Sequence, residues 1–425
     1  MKKSSKSVWS RFVMTFAAAF LLMLVTTVPV KADSSNMPLV KDIKQTDAST
    51  NSVGIIWSCP GSDIRFKIET SEQLSTGYTD YNKRPQSSAS VTLTKLGAGK
   101  VYYVRITPIR YTMEGIGKYT TVTGTTSQPF RVVTAPDSAP ASLTHVKSST
   151  DTIKVKWSAV PGADTYEVEY YIDSSKARKC VTTKTGVTLK KLAKNETYTI
   201  YVTAGRRYAD GTTTAWSDND LYKWGIPVKP SKVSGVDVTH YWQNLSEICV
   251  ENSRIGCADG YQYQLYTAYK DKDSKIKTVT TSSAYTYIKT SALKKHNFYK
   301  VKVRAYALNS KNEKMYGSWS SWKYVSPQPD VTSKKHTQKG IKINWDKING
   351  ADRYVVYVST KKDSGYKKFQ TTTKTGTVIK KCGKNKLKSG KNYYFYVEPQ
   401  KKVGNKYVSG LAGNANYCWS LKYKK

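Results

Sequence analysis

A chain of 425 residues with 69 Lys and Arg against 30 Asp and Glu carries a formal charge of +39, a balance that few soluble domains share. The excess favours polyanionic partners through long-range attraction and says nothing about fold. Six cysteines are too few for a disulfide scaffold and four histidines supply little for metal clusters or imidazole catalysis, so the core has to come from hydrophobic burial.

The chain opens with Lys2, Lys3, Lys6 and Arg11 ahead of an uncharged apolar run from Phe12 to about Val28, which reads as a secretory n-region and h-region. Val30-Lys31-Ala32 puts small residues at the usual cleavage spacing, so residues 1–32 are expected to be a signal peptide cut after Ala32. The run is too short, and too soon followed by Lys31, for a comfortable membrane span. Its removal leaves 64 basic and 30 acidic side chains, a net charge of +34. No later stretch is apolar enough to cross a bilayer, and the expected location is extracellular, free or associated with the cell surface.

Beyond the leader, helical periodicity is almost absent. Short alternating runs such as Ile153-Lys154-Val155-Lys156-Trp157 and Tyr198-Thr199-Ile200-Tyr201-Val202 recur, the period of strands with one buried face. Three markers, taken along the chain, divide it into repeats. A tryptophan ends an early strand at Trp57, Trp157 and Trp345. A small residue plus aspartate follows, then an aromatic that opens the next strand: Ser62-Asp63 with Phe66, Ala163-Asp164 with Tyr166, Ala258-Asp259 with Tyr261, Ala351-Asp352 with Tyr354. Last comes a leucine six positions before a tyrosine: Leu96 and Tyr102, Leu192 and Tyr198, Leu293 and Tyr299, Leu387 and Tyr393.

A period of about 95–100 residues suits one antiparallel sandwich. Proline gathers between the repeats, at Pro136 to Pro140, Pro227 to Pro230 and Pro327 to Pro329, and stiffens connections without allowing a shared sheet. The expected modules are therefore residues 33–135, 136–230, 231–328 and 329–425. The second and fourth share the run Thr182-Thr183-Lys184-Thr185-Gly186 and Thr372-Thr373-Lys374-Thr375-Gly376, which duplication explains.

On these markers the chain resembles the fibronectin type III family, whose second strand carries a core tryptophan and whose leucine and tyrosine make a corner before a later strand. The resemblance implies an all-β fold of four tandem antiparallel β-sandwiches. It implies that Trp57, Trp157 and Trp345 lie between sheets, and that each corner tyrosine buries its ring while its hydroxyl bonds backbone near the leucine. The family often has proline two residues after that leucine. Here those places hold Ala98, Lys194, Lys295 and Ser389, and the third module has Asn252 where the register calls for tryptophan. No module shows the Cys, Trp, Cys spacing of an immunoglobulin domain.

The chemistry of catalysis is missing from the pattern. His145, His240, His296 and His336 form no closely spaced pair, and Gly97-Ala98-Gly99-Lys100 is a turn that lacks the rest of a phosphate loop. Asp63, Asp164, Asp259 and Asp352 recur once per module beside a strand start, as turn or capping residues do. No enzyme, metal or cofactor is expected. Cys59 and Cys180 stand alone in their modules and read as free thiols. Cys249 with Cys257 and Cys382 with Cys418 are candidate disulfide pairs, although alternation puts Cys249 on the outward face of its strand.

Charge is uneven. Basic and acidic residues number 12 and 8 in 33–135, 14 and 10 in 136–230, 15 and 7 in 231–328, and 23 and 5 in 329–425, so that the last module alone carries +18. Alternation puts Tyr394 and Tyr396 on the outward face beside Tyr357, and Tyr171 and Tyr201 likewise in the second module. Tyrosines among lysines can stack on sugars and pair with acids, and cross-strand aromatic pairs also stabilise sheets without any ligand. The readings that follow are a secreted binding or adhesion protein held by its basic last module to an anionic cell-wall or matrix polymer, glycan or surface protein, and, as alternatives, a passive spacer or scaffold or a glycan-binding accessory protein. Nucleic acid would satisfy the charge, but export argues against it.

Overall fold

The computed structural model describes residues 37–172, 176–413 and 418–425. The leader and its cleavage site lie outside the described residues. Among the described residues the regular structure is β, with one short 3-10 turn at Gln243–Leu245, and no helix is long and apolar enough to cross a membrane.

Two compact units divide the chain. The first comprises residues 37–44, 56–91 and 103–130 of those described. Its sheet places Ile64–Ser71 between Thr79–Asp80 and residues 103–110 of the long strand Val101–Gly115, which continues into a hairpin with Lys118–Thr123. Trp57 meets the edge of Phe66 at 5.1 Å and 81°. Residues 45–55, 92–102 and 131 onward make up the second unit.

Within the second unit, three stretches repeat one plan of paired antiparallel sheets. In the first, Ile153–Trp157 lies between Leu143–Ser148 and Gly186–Leu189, and the other sheet runs Arg178–Thr182, Thr165–Tyr171, Thr197–Arg207, Thr214–Pro227. In the next, Glu247–Glu251 lies between Asp237–Trp242 and Tyr285–Lys289, opposite Lys275–Thr281, Gly260–Thr267, Tyr299–Leu308 and Lys314–Tyr316. In the last, Gly340–Trp345 lies between Val331–Thr337 and Gly376–Ile379, opposite Lys367–Thr372, Arg353–Ser359, Asn392–Val403 and Lys406–Ser409. These three sandwiches are called the second, third and fourth modules below, and the strand opened by the corner tyrosine is called the corner strand.

The alternation read from sequence fixes the faces. Ile153, Val155 and Trp157 are buried while Lys154 and Lys156 are exposed, and Tyr198, Ile200 and Val202 point into the same core. Trp157 meets Tyr166 at 5.5 Å and Trp345 meets Tyr354 at 5.6 Å, both edge to face. Each of Trp57, Trp157 and Trp345 is at most 6% exposed.

Tyr102, Tyr198, Tyr299 and Tyr393 are buried. Each hydroxyl accepts the backbone N–H of the residue after the marker leucine: Gly97 at 2.8 Å, Ala193 at 2.8 Å, Lys294 at 2.7 Å and Lys388 at 2.8 Å. Leu192 and Leu293 are buried, and Leu96 and Leu387 are half-buried. A second hydroxyl lock lies at the other end of the tryptophan loop, where Tyr166, Tyr261 and Tyr354 accept the N–H groups of Val160, Ile255 and Ile348 at 3.0, 2.8 and 2.8 Å. Pinning both loops by buried, satisfied hydroxyls leaves little backbone polar surface stranded between the sheets.

The recurrent aspartates clamp the far end of the corner strand. Asp164, Asp259 and Asp352 accept the N–H groups of Arg207, Leu308 and Lys402 at 3.0, 2.7 and 2.6 Å. Their own N–H groups donate to the carbonyls of Gly205, Tyr306 and Gln400. A carboxylate that accepts a strand N–H in this way holds the geometry of the loop.

The third module folds without the tryptophan. Asn252 accepts a hydrogen bond of 2.5 Å from the hydroxyl of Tyr263, a residue 0% exposed. Tyr263 lies four positions after Asp259, where the second and fourth modules have Val168 and Val356. The larger ring, on the facing sheet, reaches across the core to Asn252, which supplies its polar partner.

Neither candidate disulfide is formed: all six cysteines are free thiols. Cys249 keeps its outward register between Ile248 and Val250, yet is buried, because it sits between His240 and Tyr287 of the flanking strands. Cys257 instead donates to the carbonyl of Val228 at 3.4 Å, and burial pushes its thiol up to about 12. Cys382 donates to the carbonyl of Val358, in the strand Arg353–Ser359, and Cys418 to that of Lys362, in the loop after it. Burial raises the Cys382 thiol as well, and thiols raised in this way, Cys257 and Cys382, are poor nucleophiles.

The proline linkers are packed rather than extended. One hydrophobic core runs from Leu143 through the linker residues Val228 and Val233 to Val325, so the second and third modules share it. Ala268 and Phe298 of the third module likewise join the core around Trp345, and the Phe298 N–H donates to the carbonyl of Asn349 at 3.0 Å. A Cβ on Gly350, whose φ is +86°, would come within 2.6 Å of the Ala268 carbonyl, so this close approach needs glycine.

His145 belongs to this packed region. It is 3% exposed, its Nε2 lies 2.7 Å from the Ser148 hydroxyl, and that hydroxyl donates to the carbonyl of Pro227. Burial, and secondarily the Lys223 ammonium, depress its pKa below the ordinary 6.5. A depressed folded value means that the unfolded chain binds the proton more readily, so the contribution is intact above 6.5 and is lost as pH falls below it. Urea midpoints of the second and third modules should therefore drop between about pH 7 and about pH 5, and His145→Gln should flatten the part due to this ring. An unchanged slope in His145→Gln would show that the ring does not titrate on unfolding.

Candidate binding surface

The larger sheet of each module, of four strands in the second and five in the others, turns one face to the core and one outward, and the residue three positions after the corner tyrosine stands at the centre of the outward face. It is Arg105, Tyr201, Lys302 or Tyr396 in chain order, and in every module it meets aromatic rings. The Arg105 guanidinium lies 3.6 Å from the Tyr78 ring centroid. Tyr201 is stacked between Tyr171 at 6.0 Å and Tyr222 at 5.4 Å. Lys302 approaches Trp319 at 4.5 Å and Trp322 at 4.9 Å. Tyr396 stacks on Tyr357 at 4.9 Å and 16°. The first and third modules use a cation against rings, and the second and fourth use stacked tyrosines.

The third module extends the arrangement furthest. Lys300 lies 4.3 Å from Trp322, and Arg304 lies 3.7 Å from Tyr316 and 4.4 Å from Trp319, so three alternate cations of the corner strand interleave with rings of the following segment. Gln262 accepts from Arg304, and Asp273 pairs with Lys300. Burial, then the Arg304 and Lys300 charges, lower the Lys302 pKa. These cations are already occupied by rings and polar partners and brace the sheet. Sequence reasoning missed them, although Lys300-Val301-Lys302-Val303-Arg304 followed by Trp319-Ser320-Ser321-Trp322 was a visible signal.

Tyr357, Tyr394 and Tyr396 all face outward, but none is fully open. Tyr357 and Tyr396 are half-buried against each other, and Tyr366 closes on Tyr396 at 5.0 Å, edge to face. Burial, with Tyr357 and Glu398 beside it, pushes the Tyr396 hydroxyl up to about 12. Tyr394 stands apart from this stack, between Ser359 and Ser420 in register. The pair therefore acts first as a cross-strand staple.

The lysines of the fourth module are the less committed groups. Among its described residues no lysine or arginine lies within ion-pair distance of a carboxylate, whereas the first, second and third modules hold pairs such as Lys67–Asp80, Lys179–Glu167 and Lys323–Asp237. On the outer face of the three-stranded sheet Lys335 stands directly opposite Lys342, and in the adjacent hairpin Lys381 stands opposite Lys386. The second module repeats the first of these as Lys147 opposite Lys154. All six are exposed. Like charges directly opposite destabilise a sheet, so these lysines are not there for the fold.

The paired sheets, the corner and the clamp define a tandem array of β-sandwiches of one design. Residues 138–220, in the second module, match the family model of the fibronectin type III domain. The third and fourth modules repeat the plan of this fibronectin type III-like module, and the first repeats its corner. Comparison with curated proteins gives no match. Among solved structures, the chain is similar to chicken CNTN1 FN1-FN3 domains, at 18% identity over 68% of this chain and 97% of that one, with a TM-score of 0.26. It is also similar to a two-domain fibronectin type III segment of chicken tenascin, at 18% identity over 44% and 98%, with a TM-score of 0.23.

Proposed function

We propose that this is an exported, non-catalytic binding or adhesion protein whose fourth module holds it to an anionic wall or matrix polymer. The observation that carries the reading is the set of exposed, unpaired lysines of that module, opposed in pairs where the sheet would be more stable without them. Modules of this family commonly serve as extracellular binding and adhesion units, and the leader supports export. Tyr394 adds a side chain outside the tyrosine stack, while Tyr357 and Tyr396 rigidify the surface.

Retention on beads carrying an anionic polymer such as polygalacturonate, compared with neutral beads through a salt titration, tests the proposal. Strong retention at low salt that disappears as the Debye length shrinks from about 30 Å to about 8 Å is the expected outcome. Equal behaviour on charged and neutral beads would leave the spacer reading, which the packed junctions between the second, third and fourth modules favour.

A further inference from the structure

The three-stranded sheet of the third module differs from its counterparts in a way the fold does not require. The middle row of its outward face is His240, Cys249 and Tyr287. The same row is Lys147, Lys154 and Thr188 in the second module, and Lys335, Lys342 and Val378 in the fourth. The next row holds Tyr285, where the other two modules have Gly186 and Gly376. Two sister sheets thus form with lysine, threonine, valine and glycine at positions that carry rings here.

Those rings make a contiguous cluster, in which His240 stacks on a half-buried Trp242, Tyr287 is tilted 33° to Trp242, and Tyr285 stands edge-on to Tyr287 at 86°. His240 and Trp242 lie 4.6 Å apart and 8° from parallel, Trp242 lies 6.0 Å from Tyr287, and Tyr285 lies 6.2 Å from Tyr287. Tyr285 and Tyr287 are 52% and 55% exposed. Polar groups stand at the rim with their charge nearly balanced. Asp237 is paired with Lys323, Glu247 is opposite Lys289, and Glu251 is opposite Tyr285. In a chain whose surface is otherwise basic, this face offers no attraction to polyanions. Its carboxylates can accept hydrogen bonds from hydroxyl groups, and its rings present flat apolar surface to C–H faces.

We infer that the His240, Trp242, Tyr285 and Tyr287 cluster is a stacking site for the pyranose rings of a neutral polysaccharide. A pyranose combines an apolar ring face with a hydroxyl rim and no charge, which matches this face. The site is independent of the basic fourth module, so failure of either reading leaves the other standing.

The test is depletion of the leaderless protein, residues 33–425, from solution by insoluble neutral polysaccharides (cellulose, mannan and xylan). It is run at about 1 M salt, where the Debye length is about 3 Å and charge attraction is removed. At least one polysaccharide should deplete the protein. Tyr287→Thr and Trp242→Thr should each weaken that depletion roughly five- to tenfold, and Tyr287→Phe should retain it. Tyr287→Thr installs the residue found at Thr188, so its thermal midpoint should stay near that of the parent and separate lost binding from lost folding. Absence of depletion by all three polysaccharides, or depletion unchanged in both threonine variants, would overturn the site. Retention on an immobilised quaternary amine without any glycan binding would also overturn it, by assigning the face to cations.

Discussion

Replacing Trp157 by alanine is expected to cost about 3–5 kcal/mol, because a large ring buried between two sheets leaves a cavity that strands held at both loops cannot close. The ring is 6% exposed and packs on Tyr166, and the core it belongs to continues into the third module. The loss should therefore appear in urea unfolding as a shift of the second and third modules together. Its indole N–H is buried without a hydrogen-bond partner. Trp157→Phe removes that unmatched donor and keeps most of the ring, so it should cost less than about 1.5 kcal/mol. The third module supplies a further control. Trp157→Asn combined with Val168→Tyr installs the Asn252 and Tyr263 arrangement, and should recover at least half of the stability that alanine loses. A cost below about 1 kcal/mol for Trp157→Ala would mean that the ring is peripheral to the sandwich.

The fold was legible because its signals are local and repeated. Alternation at Ile153 to Trp157, the spacing of Leu192 and Tyr198, and the aspartate ahead of Tyr166 each specify one piece of geometry. What sequence left unread depends on contacts between strands far apart in the chain. Tyr263 as replacement for the missing tryptophan required knowing which neighbour faces Asn252. Burial of Cys249 required the flanking His240 and Tyr287, since alternation alone correctly puts the residue outward. The disulfide expectation failed for the same reason: presence in one module does not bring two sulfurs to one loop, and Cys257 lies against the Val228 carbonyl instead. Alternation groups the outward tyrosines of the fourth module, but only the structure shows Tyr357 and Tyr396 spending their faces on each other.

Packing at the linkers also changes how the electrostatic anchor can be tested. Ending the chain near Pro329 would strip the cover from Phe298 and Ala268, which are buried with the fourth module's core, and would confound lost charge with lost folding. Substituting exposed lysines avoids this. Lys335, Lys342, Lys381 and Lys386 form two like-charged cross-strand pairs, so changing all four to glutamine should leave the thermal midpoint unchanged or raise it slightly. On anionic polymer at low salt each lysine near the charged surface contributes roughly fivefold, so the quadruple variant should lose roughly a hundredfold or more in affinity. The salt dependence should become shallower in the variant, because fewer charges remain to be screened. Tyr394→Ala in the same background should lower whatever retention survives at high salt, if that ring touches sugar. Parent-like retention and an unchanged salt slope in the quadruple variant would move the anchor off these lysines and leave the array as a spacer.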